Sequence, residues 1–391
     1  MTEPIRCGGP LSFADPAVER QVRDALDIPT GPIDAASAAE LVELRLDEVT
    51  SIDGVQCLTA LQVLEITSSV DLAPLVTLPA LDTAIVTATT QEHLDTVFGL
   101  GFATDITLTT TPALDLAAFA PLPQITVLDL VFVPDGASPG VTKLDLSALE
   151  GRGIASLTVR HRGFPDSGLT LDEIPALGPQ DYGAPFLRSL AIHDIFLTGG
   201  LTTIVKFELL EELRITGAGL TNIAELSSFH YIHTLELARN QITDLSPLLE
   251  VTPLLPLFEL DLSSNRISDA APLAGHSVVL YLNLSDNLLS DVSWLAGFAP
   301  AQLSYVRLSN NRLVDVSPLS QLTRVIEFSL RNNAITDLTS FAENASFMPE
   351  LLELGNNPID CVDQREQIAT IRSRGVELEA SGCAPAAREG R

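Results

Sequence analysis

Residues 235–248 read LELARNQITDLSPL, with leucine or isoleucine at 235, 237, 242, 245 and 248 and one asparagine at 240. A buried helix face asks for a period of 3.6 and a half-buried strand for alternation, and this spacing gives neither. Aligned on the asparagine, it returns as LDLSSNRISDAAPL (260–273), LNLSDNLLSDVSWL (282–295), VRLSNNRLVDVSPL (306–319), FSLRNNAITDLTSF (328–341) and LELGNNPID (352–360). The asparagines at 240, 265, 287, 311, 333 and 357 stand 22 to 25 residues apart. Self-similarity at such a period marks a solenoid, in which each repeat is one turn of a coil.

The shared pattern, LxxLxLxxNxIxDLxxL, is the leucine-rich repeat. Its irregular spacing is the cross-section of a coil: a short strand (LxL), a turn and a tight return, with every apolar side chain pointing inward. The asparagine is expected to be buried and to bond turn backbone that would otherwise be unsatisfied. Asn287→Leu should therefore be costly, whereas Asn310, one position off the column, is expected to tolerate leucine. Weaker copies precede it: LVELRLD (41–47), LQVLEIT (61–67), LDTAIVT (81–87), ATDITLT (103–109), ITVLDLV (125–131), VTKLDLS (141–147), IASLTVR (154–160), FLRSLAI (186–192) and LEELRIT (210–216). That makes about fifteen coils, each too small to bury its own core, stacked with neighbouring strands about 4.8 Å apart.

The expected architecture is one elongated α/β solenoid, a leucine-rich-repeat horseshoe or arc with a parallel sheet on its concave face. Residues 41–355 form the solenoid, with irregular coils at about 131–187. Residues 1–40 form a helical N-terminal cap, in which FADPAVERQVRDALDI (13–28) offers Asp15 as N-cap, Pro16 at the first helical position and Val18, Val22 and Leu26 on one face. Residues 356–383 form a C-terminal cap of loop, helix with Ile368 and Ile371, Gly375 as its stop, and a short strand. Residues 384–391 are expected to be a disordered tail.

Of 391 residues, 46% are hydrophobic, enough for a large core, yet no uncharged apolar run reaches the roughly 18 residues of a membrane span. Acids outnumber bases 51 to 22, for a formal charge of −29. Such a surface repels nucleic-acid phosphates and anionic lipid, so neither nucleic acid nor membrane insertion is expected. MTEPIRCGGP lacks the charged and apolar regions of a signal peptide, which fits either a cytosolic protein or a mature secreted one. The four cysteines sit at the ends, Cys7 and Cys57 at one and Cys361 and Cys383 at the other, and are expected to pair so.

On the concave face the non-leucine strand residues stack into columns. Tyr281 and Tyr305 fall side by side on adjacent coils, with Asn283, Arg307 and Arg331 next to them and Glu236, Glu259 and Asp261 on the other side. Tyrosine and arginine dominate the energetics of protein interfaces, and the chain has only four tyrosines. These eight residues form the candidate ligand site, a dipolar surface with an apolar centre; the competing reading is a solvated sheet face with charges paired along the ladder. The column Asp244, Asp269, Asp291, Asp315 and Asp337 could array calcium, but each precedes a tight turn whose N–H groups it is expected to cap. His161 and His193, with Asp194 following, are read as surface histidines. The proline- and glycine-rich 160–186 segment, with Phe164, Tyr182 and Phe186, is read as a bulging insertion. No P-loop, GxSxG or clustered nucleophile set appears, so no catalysis, metal or cofactor is expected.

From the DPAVERQVRDAL cap through the NxIxDLxPL repeats to the closing NPIDC…RGVELEASGC segment, the chain resembles the bacterial internalin-like leucine-rich repeat family over residues 13–383. The resemblance implies a surface or secreted module that holds a protein ligand on the concave strand face. The expectation is accordingly a monomeric, non-catalytic protein-binding module, extracellular or periplasmic. The alternatives are a cytoplasmic scaffold, resembling the leucine-rich regulatory subunit of protein phosphatase 1, and a hydrolytic enzyme.

Overall fold

The computed structural model describes residues 7, 9–119, 124–134, 143–162, 168–177, 186–250, 257–275, 279–297 and 303–380. They divide into two compact units, one up to Gly199 and one from Gly200. Cys383, the 384–391 tail, and residues 163–167 and 178–185 of the expected insertion, with Phe164 and Tyr182, lie outside the described residues.

Among the described residues the first unit carries ten strands: β1 (Glu43–Leu46), β2 (Val63–Ser69), β3 (Thr83–Thr87), β4 (Asp105–Thr110), β5 (Val127–Phe132), β6 (Lys143–Leu144), β7 (Ser156–His161), β8 (Thr170–Leu171), β9 (Ser189–His193) and β10 (Phe196–Leu197). Seven form a parallel sheet in the order β1-β2-β3-β4-β5-β7-β9. The strand expected at 141–147 is not among them. Leu128 of β5 pairs with Leu157 of β7, while Lys143 and Leu144 of β6 pair with Thr170 and Leu171 of β8. Phe196 and Leu197 of β10 join the other side of β8. In the coils from β5 to β7 and from β7 to β9 the chain runs longer than the 22–25 residues of the asparagine repeats, and the surplus forms β6 and β8; the coil after β9 is of ordinary length and adds β10 to the same short sheet. Leu144, Leu171 and Leu197 are buried there.

Helix α1 (Pro16–Leu26) packs against the edge strand β1 of this sheet; the short α2 (Ala35–Ala38) precedes β1, and α3 (Gln91–Leu94) lies between β3 and β4. Asp15 caps α1 by accepting from the Ala17 N–H (2.7 Å), and its second oxygen accepts from the backbone and hydroxyl of Thr50. Val18 and Val22 are fully buried, while Leu26 is only half-buried. Gln21 pairs with both backbone groups of Asp47, occupying part of the edge that would otherwise invite another strand. Cys7 and Cys57 form a disulfide with Cα atoms 5.1 Å apart.

Among its described residues the second unit stacks eight parallel strands in sequence order: β11 (Glu212–Thr216), β12 (Thr234–Glu236), β13 (Glu259–Asp261), β14 (Tyr281–Asn283), β15 (Tyr305–Arg307), β16 (Glu327–Ser329), β17 (Leu351–Glu353) and β18 (Glu377–Glu379). All five apolar positions of the 235–248 stretch are buried, as the coil reading requires. Returns run through short 3-10 turns such as Ser317–Gln321 and the single-turn α4 (Thr339–Glu343). The stack closes with α5 (Arg365–Ser373), which buries Ile368 and Ile371, and then Gly375 at φ +89°. Its final strand, β18, pairs in parallel with β17, so the cap continues the sheet. Cys361 is disulfide-bonded.

The repeat asparagines do more than complete their own turns. Asn287 Oδ1 accepts from Ile267 N–H in the preceding coil (3.0 Å), and its Nδ2 donates to Leu262 O in that coil and Leu284 O in its own. Asn240, Asn265, Asn311, Asn333 and Asn357 make the same stitch. One position earlier, Arg239, Ser264, Asp286, Asn310, Asn332 and Asn356 all hold φ between 55° and 62°. This left-handed residue turns the chain out of its strand after three residues. It also overturns the expectation for Asn310, because a leucine there would strain the backbone.

Candidate functional site

Register settles which side chains meet. Tyr281 pairs with Tyr305, Glu259 with Tyr281, and Asn283 with Arg307. Leucines pair with leucines on the buried side of the same strands, so these residues share the outer face of the sheet. The tyrosine rings lie 6.5 Å apart at 44°, a tilted pair within the range of favourable aromatic contact. Arg307 lies over the Tyr281 ring at 5.3 Å and donates to its hydroxyl (3.2 Å). Burial, more than the neighbouring charges, pushes the Tyr281 phenol up, so it stays neutral at physiological pH.

The arginines, expected as a basic border, are each held by carboxylates. Arg307 reaches Glu327 at 3.4 Å; Arg331 pairs with Glu353 at 2.8 Å and also with Glu379. Burial alone would raise Glu353, but the bonds from Arg331 and Ser329 outweigh it and hold its carboxyl down. Arg214 similarly pairs with Glu212 at 2.6 Å and reaches Glu236 at 3.7 Å. Strands β11–β18 carry eight carboxylates against two arginines, with Arg331 just after β16. The face is therefore acidic along its length rather than dipolar.

Its acidic centre is Glu236, Glu259 and Asp261 on β12 and β13, with Glu236 opposite Asp261 in the ladder. Burial first, then the charges of Asp261 and Glu259, push the Glu236 carboxyl up. Asp261 accepts from the Ser263 N–H (2.8 Å) and from Asn283 Nδ2 (2.9 Å), which turns Asn283 toward the acids.

The other expected sites resolve otherwise. Asp244, Asp269, Asp291, Asp315 and Asp337 each accept from the N–H two residues on, at 2.8 or 2.9 Å, the turn capping expected of them. His161 is not a surface residue: it faces inward at the end of β7, opposite Phe132, and burial lowers its pKa against the pull of Asp194. His193 lies opposite Arg160.

One row was not singled out in the sequence. Phe258, Leu280 and Ile326, each just before a strand, are 36–42% exposed beside the tyrosine column. No repeating letter marks them, since the same position holds Glu211, His233, Ser304 and Glu350 ahead of β11, β12, β15 and β17.

No protein-family model and no curated protein matches the sequence. Among solved structures, an internalin (InlF) of Listeria monocytogenes matches 95% of this chain and 96% of its own, at 20% identity and a TM-score of 0.61. A leucine-rich repeat protein of Leptospira interrogans matches 90% of this chain and 92% of its own, at 16% identity and a TM-score of 0.65. With the asparagine stitch, the parallel strands and these two likenesses, the chain has a leucine-rich repeat fold similar to that of this internalin.

Proposed function

We propose that this chain is a non-catalytic module that binds a protein ligand on the outer, concave face of its sheet, centred on Tyr281 and Tyr305. The observation that carries this reading is the tyrosine pair itself: two adjacent rings in register, outside the leucine core, with Tyr305 37% exposed. Rigid aromatic groups of this kind anchor interfaces at little entropic cost. Arg307, Arg331, Glu236, Glu259, Asp261 and Asn283 surround them as the polar rim.

The test is affinity capture on the immobilised chain, followed by measured Kd. Tyr281→Ala with Tyr305→Ala should weaken a captured partner by about 2–4 kcal/mol, with little change in melting temperature. Gln321→Ala with Arg324→Ala, on exposed residues in and just after the return turn, should leave binding intact. A partner that binds the tyrosine variant as tightly as wild type would end the reading.

The Cys7–Cys57 disulfide supports an extracellular or periplasmic site of action over a cytoplasmic scaffold, since such bonds persist in oxidising compartments. Thiol titration of native protein purified without reductant should find no free thiol; four free thiols would reverse the assignment. No helix among the described residues is long and apolar enough to cross a membrane.

A further inference from the structure

The row ahead of the strands has a backbone ladder of its own. Phe258 N–H donates to His233 O (2.8 Å), Leu280 N–H to Phe258 O (2.9 Å), Ser304 N–H to Leu280 O (2.9 Å) and Ile326 N–H to Ser304 O (2.7 Å). The row therefore runs parallel to the Tyr281–Tyr305 column, one residue before it. Single exposed apolar side chains are ordinary on a protein surface. Phe258, Leu280 and Ile326 stand exposed just ahead of β13, β14 and β16, with Ser304 between the last two, alongside the Tyr281–Tyr305 pair on β14 and β15, and exposed apolar side chains gathered on successive strands mark contact surfaces.

We propose that this patch seats a cationic polypeptide segment with an apolar centre. Its apolar side chains lie on Phe258, Leu280, Tyr281, Tyr305 and Ile326, and its lysine or arginine side chains reach Glu236, Glu259 and Asp261. The inference rests on reading the sheet face as the binding surface and adds which partner it takes. Charge selects that partner. Arg307 and Arg331 are engaged by their own carboxylates, whereas among the described residues neither Glu259 nor Asp261 is in an ion pair. A second copy of the chain would bring its own charge of −29 against this face. A cationic segment instead gains from the acids in encounter rate and specificity, while the apolar patch supplies holding energy.

A phage-displayed library of random dodecapeptides, selected on the immobilised full chain at physiological salt, tests this. The selected peptides should be enriched in lysine and arginine interleaved with leucine, phenylalanine or tryptophan. Made synthetically, they should lose about tenfold or more in affinity against Phe258→Ser with Leu280→Ser, and against Glu259→Gln with Asp261→Asn, with falling affinity as salt rises. The substituted side chains are solvent-facing, so an unchanged melting temperature confirms folding. Peptides that weaken against Tyr281→Ala with Tyr305→Ala but bind both other variants normally would overturn this inference and leave the sheet-face reading standing. Peptides indifferent to all three variants would overturn both. Neutral or acidic selected sequences, or no selected peptide, would overturn the inference alone. So would a chain dimer in sedimentation that Phe258→Ser with Leu280→Ser dissolves, since the patch would then belong to a second copy.

Discussion

Two adjacent residues in each regular coil do opposite jobs, and only one is visible as a letter. The asparagine at 287 has a counterpart in each of the six regular coils because an amide side chain can accept from one coil and donate to two carbonyls in the same small space. Asn287→Leu leaves the Ile267 N–H and the carbonyls of Leu262 and Leu284 without that partner inside the stack, and should cost about 1–3 kcal/mol in chemical denaturation. The residue before it is Arg239, Ser264, Asp286, Asn310, Asn332 or Asn356, which share no side-chain chemistry, only a positive φ. The repeat therefore reveals the buried column and hides the conformational one. Asn310→Leu should cost about 1 kcal/mol through left-handed strain. Asn310→Gly should cost little, because glycine adopts that conformation freely. Equal losses for leucine and glycine at 310 would point to the bond from Asn332 Nδ2 to Asn310 Oδ1 (2.6 Å) instead.

Elements were legible where a local rule and the stacking rule agree. The first helix announces itself through Asp15, Pro16 and the valine spacing, and its cap matters beyond the helix because Asp15 also holds Thr50. Those bonds, from the Thr50 backbone first, lower the Asp15 carboxyl from 3.8 to about 2. A depressed carboxylate favours the folded state fully above pH 3.8, and the contribution drains away as pH falls toward 2. Asp15→Asn keeps a capping oxygen but does not titrate. The stability gap between wild type and this variant should therefore narrow as pH drops through that window in urea denaturation, and a constant gap would refute the role. The strand at 143–144 shows where local reading fails. VTKLDLS has the right letters, but which strand it joins depends on coil length, and two residues of β6 match the second sheet as well as the first. The same limit hid the row of Phe258, Leu280 and Ile326: each is unremarkable alone, and only the backbone ladder joins them. The tyrosine pair was readable because the asparagine register fixes the strand columns, whereas the ion pairs that neutralise Arg307 and Arg331 depend on side-chain reach that letters do not encode.

At the scale of the whole molecule, the dominant physical quantity is charge. With 51 acids against 22 bases, long-range repulsion works against every folded coil. Local pairs such as Arg331 with Glu353 and Arg45 with Glu65 work the other way. Their sizes decide the outcome. Exposed pairs contribute about 0–1 kcal/mol each and are few, while an unbalanced charge of −29 acts over the whole surface at low salt. The Debye length falls from about 30 Å at 0.01 M to about 8 Å at physiological ionic strength, so salt removes the distant repulsion before it weakens contacts at 3 Å. The melting temperature should therefore rise as sodium chloride increases across that range. Binding at Glu236, Glu259 and Asp261 should weaken over the same range, because there the charges attract. A melting temperature that fell with salt would show that the arginine–carboxylate pairs, not the net charge, govern this chain.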